Sequence, residues 1–420
     1  MKAHNKMKTS LKILTGVMAL SAATLAEAQT TIKVTGSTAF RNGFMLAVEH
    51  LMVSYSGAYF TGDGSTSLEG ANLSVLHGNI SGLGDCIVQC CWAGSVGGIQ
   101  VLDQNLLPAL PANATHPWLK ASLAAFPATA VSDTSAASYD ADATADASMS
   151  DSFQSSTPFN GNVLADRVVG VVPFKWIANN GAPAGLSNAT PKLVQALLAG
   201  PMRLSLWTGN PSDSSQGVYA VGRNFDSGTR LTTYAESGFG INSSPQQYKV
   251  NVSAGAVTSI LLYPAETVLG TDYGDGESGY ASGSSVSTAV KATTTAGFTG
   301  GKPGLTGGYL VSYMGRKDAQ GAITAGAKEL TWSGFPDTDT AIEQGQYTFW
   351  GYEHLMYRST LVGPQLTLAG RIATQLHDVD AAAGSGGALQ NWGILLNNMA
   401  VGRQTDGGNV SYGARYTTVY

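Results

Sequence analysis

A chain of 420 residues with a formal net charge of −5 and 12% charged residues is long enough to form two or three domains with a sizeable core. Its acidic balance argues against nucleic-acid binding, because proteins that bind nucleic acids carry clustered lysine and arginine. A small anion is not excluded, since a single arginine and the ends of helices act locally and outweigh a diffuse surface charge.

Residues 1–28 predict a cleavable signal peptide. Four lysines surround the start of a short apolar run, Ile13–Leu25, and Ala26-Glu27-Ala28 is a small-residue cleavage site. Cleavage after Ala28 lowers the net charge from −5 to −8. The apolar run is too short to span a bilayer and no later segment is a better candidate. We therefore expect a periplasmic or secreted protein that has no membrane insertion and, without a cysteine after the run, no lipid anchor.

The first predicted elements of the mature chain are two strands, each followed by a turn of small residues and a helix. Thr31–Thr35 is typical of a strand, and Gly36-Ser37-Thr38 turns it into a helix with one buried face. The continuous apolar run Cys86–Trp92 predicts a strand covered on both faces. It ends in Gly94-Ser95-Val96-Gly97-Gly98, and we expect the next helix to start at Ile99.

The three cysteines, Cys86, Cys90 and Cys91, all lie within this second strand. A metal site would need a second cluster of ligands with suitable spacing, and the sequence has none. The interpretation we favour is that the three are small buried hydrophobic residues of the strand. A local Cys86–Cys90 bridge is the alternative.

Further elements follow in the middle of the chain. Val168–Ile177 predicts another buried strand, and Thr190-Pro191 is a cap and first position for a helix over Lys192–Ala199. Residues 111–146 are rich in Ala, Ser, Thr and Asp, and residues 270–306 are rich in Gly, Ser and Thr. Both compositions are typical of long surface loops or insertions.

The octet Arg223-Asn224-Phe225-Asp226-Ser227-Gly228-Thr229-Arg230 is the most informative motif. A strand-like run, Gly217–Gly222, precedes it and an amphipathic helix follows, so Ser227 takes the position of an N-cap. The free N–H groups of the first turn, the nearby hydroxyls and the helix dipole suit an oxyanion, to which Arg223 can add a charged clamp. The alternative is an ordinary capped helix beside a surface arginine.

Three strand-to-helix turns share one chemical pattern, a glycine beside a small hydroxyl residue. They are Gly36-Ser37-Thr38, Gly94-Ser95 and Ser227-Gly228-Thr229. One such turn is common, but three of them fit a single anion held by several helix N-termini.

These residues, in this order, resemble the periplasmic phosphate-binding proteins of ABC transporters, a branch of the type II periplasmic binding proteins. The resemblance extends from about Thr31 to Tyr357 and leaves the two low-complexity stretches unmatched. The segments that carry it are Val34–Phe40 and Gly94–Gly98 for two phosphate turns, Asp146–Asp151 for a Ser-Asp turn, Arg223–Thr229 for an Arg-to-Ser-Gly-Thr spacing, and, with less chemistry, Leu186–Thr208, Gly308–Tyr313 and Gly345–Trp350.

The resemblance implies an α/β fold of two lobes, a clamshell that closes on a dehydrated phosphate. Each lobe would be a mixed, mostly parallel sheet flanked by helices. We expect the first lobe to hold residues 29–159 and 316–420, with an insertion at 100–146. The second lobe would hold residues 160–315, with a Gly/Ser-rich insertion at 270–306.

The resemblance also implies a set of ligand-binding residues from both lobes. Within it, Asp151 would accept the proton of hydrogen phosphate and repel sulfate, which has no proton to offer. The first lobe would contribute Ser37, Thr38, Ala39, Phe40, Ser95 and Asp151, and the second lobe Arg223, Ser227, Gly228 and Thr229.

Two departures from the family pattern leave alternatives open. The position two after Arg223 is usually acidic in the family but is Phe225 here, with Asp226 one place later, so the anchor of Arg223 can differ. The long insertion also contains a rival Ser-Asp turn at Asp133. We favour Asp151 as the site acid because the chain leads directly from it into the strand at Val168.

The function that these observations favour is an exported, monomeric solute-binding protein for phosphate or a similar oxyanion, working with an ABC transporter permease. The alternative is an exported surface or matrix protein that keeps the clamshell fold without tight phosphate binding. An enzyme is less favoured because no nucleophile–base pair is visible, so no catalytic residue is predicted. No cofactor and no metal are expected either.

Overall fold

The computed structural model of the protein describes residues 29–379 and 392–413, so the predicted signal peptide lies outside the described residues. The strands are β1 Thr30–Gly36, β2 Tyr55–Phe60, β3 Leu73–Ile80, β4 Gly84–Cys91, β5 Thr129–Val131, β6 Ala147–Ser150, β7 Leu164–Ala178, β8 Asn188–Ala189, β9 Met202–Arg203, β10 Gln216–Val221, β11 Tyr248–Ser253, β12 Ala256–Leu262, β13 Glu266–Val268, β14 Thr271–Tyr273, β15 Thr293–Gly300, β16 Gly307–Gly315, β17 Lys328–Trp332, β18 Trp350–Arg358, β19 Val401–Gly402 and β20 Ser411–Tyr412. The α-helices are α1 Arg41–Leu51, α2 Ser95–Gln104, α3 Pro191–Ala199, α4 Ser205–Thr208, α5 Gly228–Ser237, α6 Gly283–Val290, α7 Arg316–Thr324, α8 Asp339–Glu343 and α9 Gly363–Thr374.

A large mixed sheet of 13 strands organises the molecule. Its main path runs β5-β2-β3-β4-β1-β6-β18-β7-β16-β10-β9. Off this path, β17 pairs with β7, and β8 pairs with β17. The α/β class predicted from the sequence is confirmed. Antiparallel pairs are more frequent than the expected mostly parallel arrangement, because β2, β3 and β4 form a meander and β7 runs antiparallel to β18, β16 and β17.

The first three predicted turns lie at the same edge of the sheet. β4 and β6 both pair with β1 in parallel, so the carboxyl ends of these three strands lie side by side. Gly36 ends β1, Gly94 follows β4 and Asp151 follows β6. Parallel neighbours must have their loops at the same edge, and this topology therefore explains how residues more than a hundred positions apart become adjacent.

β7 joins the two halves of the sheet. Its first part, up to Pro173, pairs with β18, and from Phe174 onward it pairs with β16. β16 in turn pairs in parallel with β10, which leads to the octet. The sheet is therefore continuous through a single strand of 15 residues. The lobe boundaries expected from the sequence stay predictions.

Two sequence expectations differ from the structure. The second turn is followed by a helix that begins at Ser95 and not at Ile99, because Gly97 and Gly98 are already helical. Residues 270–306, expected to be a long surface loop, contain α6 and β15. The α6 helix has Ser282 as its N-cap and buries Val286 and Val290, apolar contacts that the surrounding Gly/Ser composition concealed.

Other expectations are confirmed. Ser227 and Thr190 are the N-caps of α5 and α3, and each accepts a hydrogen bond from the backbone N–H three residues on. The three cysteines are buried and unpaired, as the interpretation we favoured predicts. In the part of the chain that the structure describes, no helix has the length and apolar character that a membrane span requires.

Candidate functional site

Close backbone packing builds the floor of the candidate site. Gly36 has a φ of +107°, and a β-carbon on it would lie 1.9 Å from the carbonyl oxygen of Met149. A β-carbon on Gly98 would lie 2.1 Å from the hydroxyl of Ser148 and 2.8 Å from the α-carbon of Gly36. Only glycine fits at these positions. The turns after β1 and β4 are therefore pressed together against β6.

Arg223 reaches this floor from the other half of the sheet. Its side chain is fully buried, and Nε donates to the carbonyl of Tyr280 at 3.1 Å. Nη2 donates to the carbonyl of Ala281 at 2.9 Å and to the hydroxyl oxygen of Thr38 at 3.2 Å. Burial lowers the pKa of Arg223, while Asp318 and Asp151 raise it. The guanidinium thus stays close to carboxylates that compensate its charge.

Asp151 lies between the two halves. Its backbone N–H donates to the hydroxyl oxygen of Ser95 at 3.3 Å, and its Oδ2 accepts from the hydroxyl of Thr229 at 3.2 Å. Oδ1 is buried and has no hydrogen-bond partner among the described residues. Burial raises the pKa of Asp151, while Ser95, Arg223 and Thr229 lower it. One carboxylate oxygen is therefore free to accept a proton or a hydrogen bond.

The N-terminus of α5 faces this carboxylate. Ser227 caps the helix by accepting from the N–H of Arg230 at 3.2 Å. A β-carbon on Gly228 would lie 1.7 Å from Asp151 Oδ1 and 2.8 Å from the β-carbon of Ser95. The N–H groups of the first helical turn have no acceptor within the helix, and their partial positive charge favours an anion at this point.

A contact that the sequence did not predict closes the N-terminus of α2. The carbonyl oxygen of Asp226 accepts from the N–H groups of Val96 at 2.9 Å and Gly97 at 3.2 Å. Gly94, with a φ of +96°, leaves room for it, since a β-carbon there would lie 2.3 Å from the same oxygen. The first-turn donors of α2 are therefore used by the protein's own backbone.

The side chain of Asp226 is also buried, and its Oδ1 has no partner among the described residues. Burial, reinforced by the nearby Glu266, raises the pKa of Asp226 to about 7, against the attraction of Arg223 and Arg230. At the position two after Arg223, the family pattern expects an acidic residue that would hold the arginine, but this chain has Phe225. Its ring packs against Phe159 and Tyr273 instead.

A second acidic residue that sequence reasoning missed is Glu353, on β18. It is fully buried, and neither carboxylate oxygen has a hydrogen-bond partner at normal geometry among the residues that the structure describes. Burial, and then the charge of Asp151, raises the pKa of Glu353 well above its usual range, and the nearby Ser37 lowers it only in part. The register of β18 against β7 shifts between Glu353 and His354, and such a bulge cannot be read from the sequence.

The structure brings together six of the ten sequence-predicted site residues: Thr38, Ser95, Asp151, Arg223, Gly228 and Thr229. Ser37 lies at the edge of this group. Its N–H donates to the carbonyl of Met149, and its hydroxyl has no partner within the described part of the chain. Ser227 serves its own helix as the cap. Ala39 lies near Gly315, outside the group, and Phe40 is the N-cap residue of α1 and part of the core.

The rival acid Asp133 lies apart from this group. It is exposed, and its carboxylate accepts hydrogen bonds from the N–H and hydroxyl of Ser135 and from the hydroxyl of Ser138. These bonds lower the pKa of Asp133. Its role is therefore to order its own loop.

A cavity of about 410 Å³ opens beside the group. Thr38 and Trp92 line it from the first half of the sheet, and Asn224, Asp226 and Ala281 from the second. Residues 109–112 and 267–269 form further walls. Among the residues that the structure describes, no cluster of three or more His, Cys, Asp or Glu side chains could hold a metal ion.

The comparisons with known proteins found similar folds among solved structures only. No protein-family model and no curated protein matches the chain. Its fold resembles solved proteins described as phosphate-binding. One, assigned as a phosphate ABC transporter substrate-binding protein from Clostridium perfringens and solved with bound phosphate, is 11% identical, with a TM-score of 0.46 over 87% of this chain and 99% of that one. Another is an ABC-type phosphate transport receptor from Vibrio cholerae, 13% identical, with a TM-score of 0.40 over 82% of this chain and 94% of that one.

Proposed function

We propose that the protein is an exported solute-binding protein that captures phosphate, or a similar oxyanion carrying a proton, between the two halves of its sheet. The TM-scores are too low to carry this conclusion. The observation that supports it is a pair of hydrogen bonds across the sheet halves, from Arg223 to the hydroxyl of Thr38 and from the hydroxyl of Thr229 to Asp151, with Ser95 bonded to the backbone of Asp151.

This set has the chemistry that a buried, protonated oxyanion requires. Oxygens taken out of water need donors, and a guanidinium, the hydroxyls of Thr38 and Ser95 and the first turn of α5 can supply them. The proton of hydrogen phosphate needs an acceptor, and Asp151 Oδ1 is a buried acceptor without a partner. A fully deprotonated anion such as sulfate would leave that carboxylate facing a second negative charge.

The surroundings also affect the negative charge near Arg223. Asp226 and Glu353 are buried, and burial raises the pKa of both. A protonated carboxyl group carries no charge and can donate a hydrogen bond. Burial therefore favours the form in which neither residue repels an anion. Delivery to an ABC transporter permease is part of the proposal, as is export through the predicted signal peptide.

One observation favours the alternative, a surface or matrix protein without tight phosphate binding. The N–H groups of Val96 and Gly97 are bonded to Asp226 and are therefore not free for a ligand. Because these two donors already bond within the protein, fewer donors remain for an anion.

Calorimetry on protein freed of ligand by unfolding and refolding tests the proposal. Phosphate and arsenate should bind with a Kd in the micromolar range or below, and sulfate and molybdate at least a hundredfold more weakly. No heat of binding with any of the four anions would favour the surface-protein alternative. Equal affinity for phosphate and sulfate would remove Asp151 as the selecting group.

A further inference from the structure

The groups of the candidate site are enclosed between the two halves of the sheet. Arg223 is 2% exposed and Asp151 is 1% exposed. The carbonyl of Asp226, on the second half, accepts from the N–H groups of Val96 and Gly97, on the first. Since the enclosed groups have almost no contact with solvent, an anion can reach them only when the halves separate, and separation breaks both of these hydrogen bonds.

Residues 403–407 form a strap that lies against the loop after β6. The N–H of Phe153 donates to Asp406 Oδ2 at 3.0 Å. The hydroxyls of Ser156 and Thr405 form a hydrogen bond of 3.2 Å. Both Phe153 and Ser156 belong to the loop that also carries the site acid, so the strap is attached to the first half of the sheet.

Arg403, at the start of the strap, provides a second attachment to the first half. Its guanidinium lies over the ring of Trp350, the first residue of β18, with the guanidinium carbon 3.9 Å from the ring centre. Nη2 donates to the carbonyl of Thr348, in the segment that leads into β18. An aromatic face attracts a cation most strongly when water is excluded, and Arg403 is 1% exposed.

The second half of the sheet meets the strap at the C-terminal end of α5. Glu236 Oε2 accepts from Arg403 Nη1 at 2.8 Å, and its Oε1 accepts from the hydroxyl of Thr348. The backbone of Gly407 packs against the same end of the helix, since a β-carbon there would lie 2.4 Å from the carbonyl carbon of Ala235. The first turn of α5 faces the site acid, so the strap joins the two elements that meet at the candidate site.

The ion pair between Glu236 and Arg403 favours the closed arrangement of the halves. The side chain of Glu236 is 8% exposed and that of Arg403 is 1% exposed. Without the Glu236 charge, Arg403 would stay buried and uncompensated in the closed form, which is costly. In an open form, water would reach the guanidinium and remove most of this cost. Loss of the pair should therefore shift the population from closed to open.

We infer that Glu236 is a latch residue, which holds the cleft closed by binding Arg403 of the strap and so sets how fast a captured anion is released. It acts through Arg403 and Thr348 and contacts no part of the anion site. The part of the inference that concerns release rests on the proposed function, whereas the part that concerns closure does not.

Amide hydrogen exchange on the ligand-free protein tests closure. Glu236→Gln keeps the shape of the side chain and removes its charge. In this variant we expect the amides of Val96 and Gly97 to exchange about tenfold faster or more, because their hydrogen bonds to Asp226 cross between the halves. The amide of Phe153 should keep its native exchange rate, because its bond to the strap lies within the first half. Native exchange at Val96 and Gly97 in the variant would overturn the inference.

Glu329→Gln is the control. Glu329 Oε2 accepts from Lys175 Nζ at 2.8 Å, the same distance as in the latch. Both residues lie in the second half, on β17 and on the part of β7 that pairs with β16. The exchange rates of Val96 and Gly97 should therefore stay native. Equal acceleration in Glu329→Gln and Glu236→Gln would show that the loss of any ion pair loosens the molecule, and would overturn the inference.

Release of the ligand is measured as the replacement of bound radiolabelled inorganic phosphate by unlabelled phosphate. Glu236→Gln should release phosphate about tenfold faster or more, and Glu329→Gln at the native rate. Equal release rates in all three proteins would overturn the inference and leave the proposed function standing. If none of them binds phosphate, the proposed function fails and the exchange rates still decide whether the latch exists.

A second variant tests the strap at its other contact with α5. In Gly407→Ala the methyl group would collide with the backbone of Ala235, so the strap must move away from the helix. This variant should accelerate exchange at Val96 and Gly97 as Glu236→Gln does, and it decides the result if Glu236→Gln does not fold. Native exchange at both amides in Gly407→Ala would contradict a strap that holds α5.

Discussion

Oδ1 of Asp151 lies 1.7 Å from the point where a β-carbon on Gly228 would stand. The loop after β6 and the first turn of α5 thus meet with no space for a side chain between them. Gly228 is required by this contact and not by a left-handed backbone, since it begins a regular helix. The carboxylate is held against a helix N-terminus, where a negative charge is stabilised.

This contact predicts the effect of one added methyl group. Gly228→Ala should destabilise the protein by about 1–3 kcal/mol, because the methyl group must displace Asp151 from a packed site. Urea unfolding of the two proteins measures the difference. The matched control is Gly321→Ala inside α7, where the nearest atom would be 3.7 Å away. That change should stabilise the protein by up to about 1 kcal/mol, because alanine favours a helix. Equal stabilities for Gly228→Ala and the native protein would contradict the contact.

Arg223 should carry most of the attraction for the anion. Arg223→Ala is expected to weaken phosphate binding by about 2 kcal/mol or more, since it removes a charge-assisted pair from a buried site. Titration calorimetry gives the affinity. Arg203→Ala removes the same charge from an exposed side chain that donates to the carbonyl of Ser214, and should leave binding within experimental error. Unchanged affinity in Arg223→Ala would remove this arginine from the site.

Asp151 should govern selectivity more than affinity. Asp151→Asn keeps the shape of the side chain, removes its charge and adds a donor, so the variant should admit sulfate where the native protein rejects it. A competition assay of sulfate against phosphate measures the change. Asp133→Asn, whose carboxylate bonds only within its own loop, should keep the native selectivity. Relaxed selectivity in Asp133→Asn alone would mean that the other Ser-Asp turn forms the site.

The buried carboxyl of Asp226 predicts a dependence of stability on pH. Its pKa rises from 3.8 to about 7 on folding, so between these values the native state binds a proton that the unfolded state has lost. The contribution of Asp226 to stability therefore falls as the pH rises from about 4 to about 7 and is constant above. Asp226→Asn should gain stability relative to the native protein across this interval, as urea unfolding at pH 5 and pH 8 would show.

Asp133 should show the opposite pH dependence of its contribution to stability, and Asp133→Asn serves as the comparison. Hydrogen bonds to Ser135 and Ser138 lower the pKa of Asp133 in the folded state, so its contribution is present above the unfolded pKa and is lost as the pH falls through the folded pKa. The residue is exposed, so the effect should be small. A gain for Asp226→Asn that does not change with pH would show that this carboxyl is not buried in its charged form.

The parts of the site that the sequence predicts are those with local causes. Ser227 is recognisable as a cap because its partner is Arg230, three residues away. The glycines after β1 and β4 mark turns by their own conformations, with φ of +107° at Gly36 and +96° at Gly94. Such signals act within a few residues, and a single sequence contains them in full.

The parts that the sequence does not predict depend on distant neighbours. Asp226 caps α2 across a separation of about 130 positions, and nothing near it in the sequence identifies Val96 as a partner. Glu353 is buried because β18 is a central strand whose residues Trp350–Tyr357 are all buried, although a glutamate in a strand is more often exposed. The walls of the cavity come from segments whose composition indicates only loops.

Pro173 marks the point where the long strand β7 passes from one half of the sheet to the other. At this residue β7 leaves β18, and at the next, Phe174, it joins β16. Proline has no N–H to offer a ladder, so the strand can bend there with the loss of few hydrogen bonds. A rotation of one half of the sheet against the other would have to bend β7 near this peptide, because β7 belongs to both halves. The residence time of a captured ligand would then depend on the elastic resistance of one strand as well as on the groups that contact the ligand.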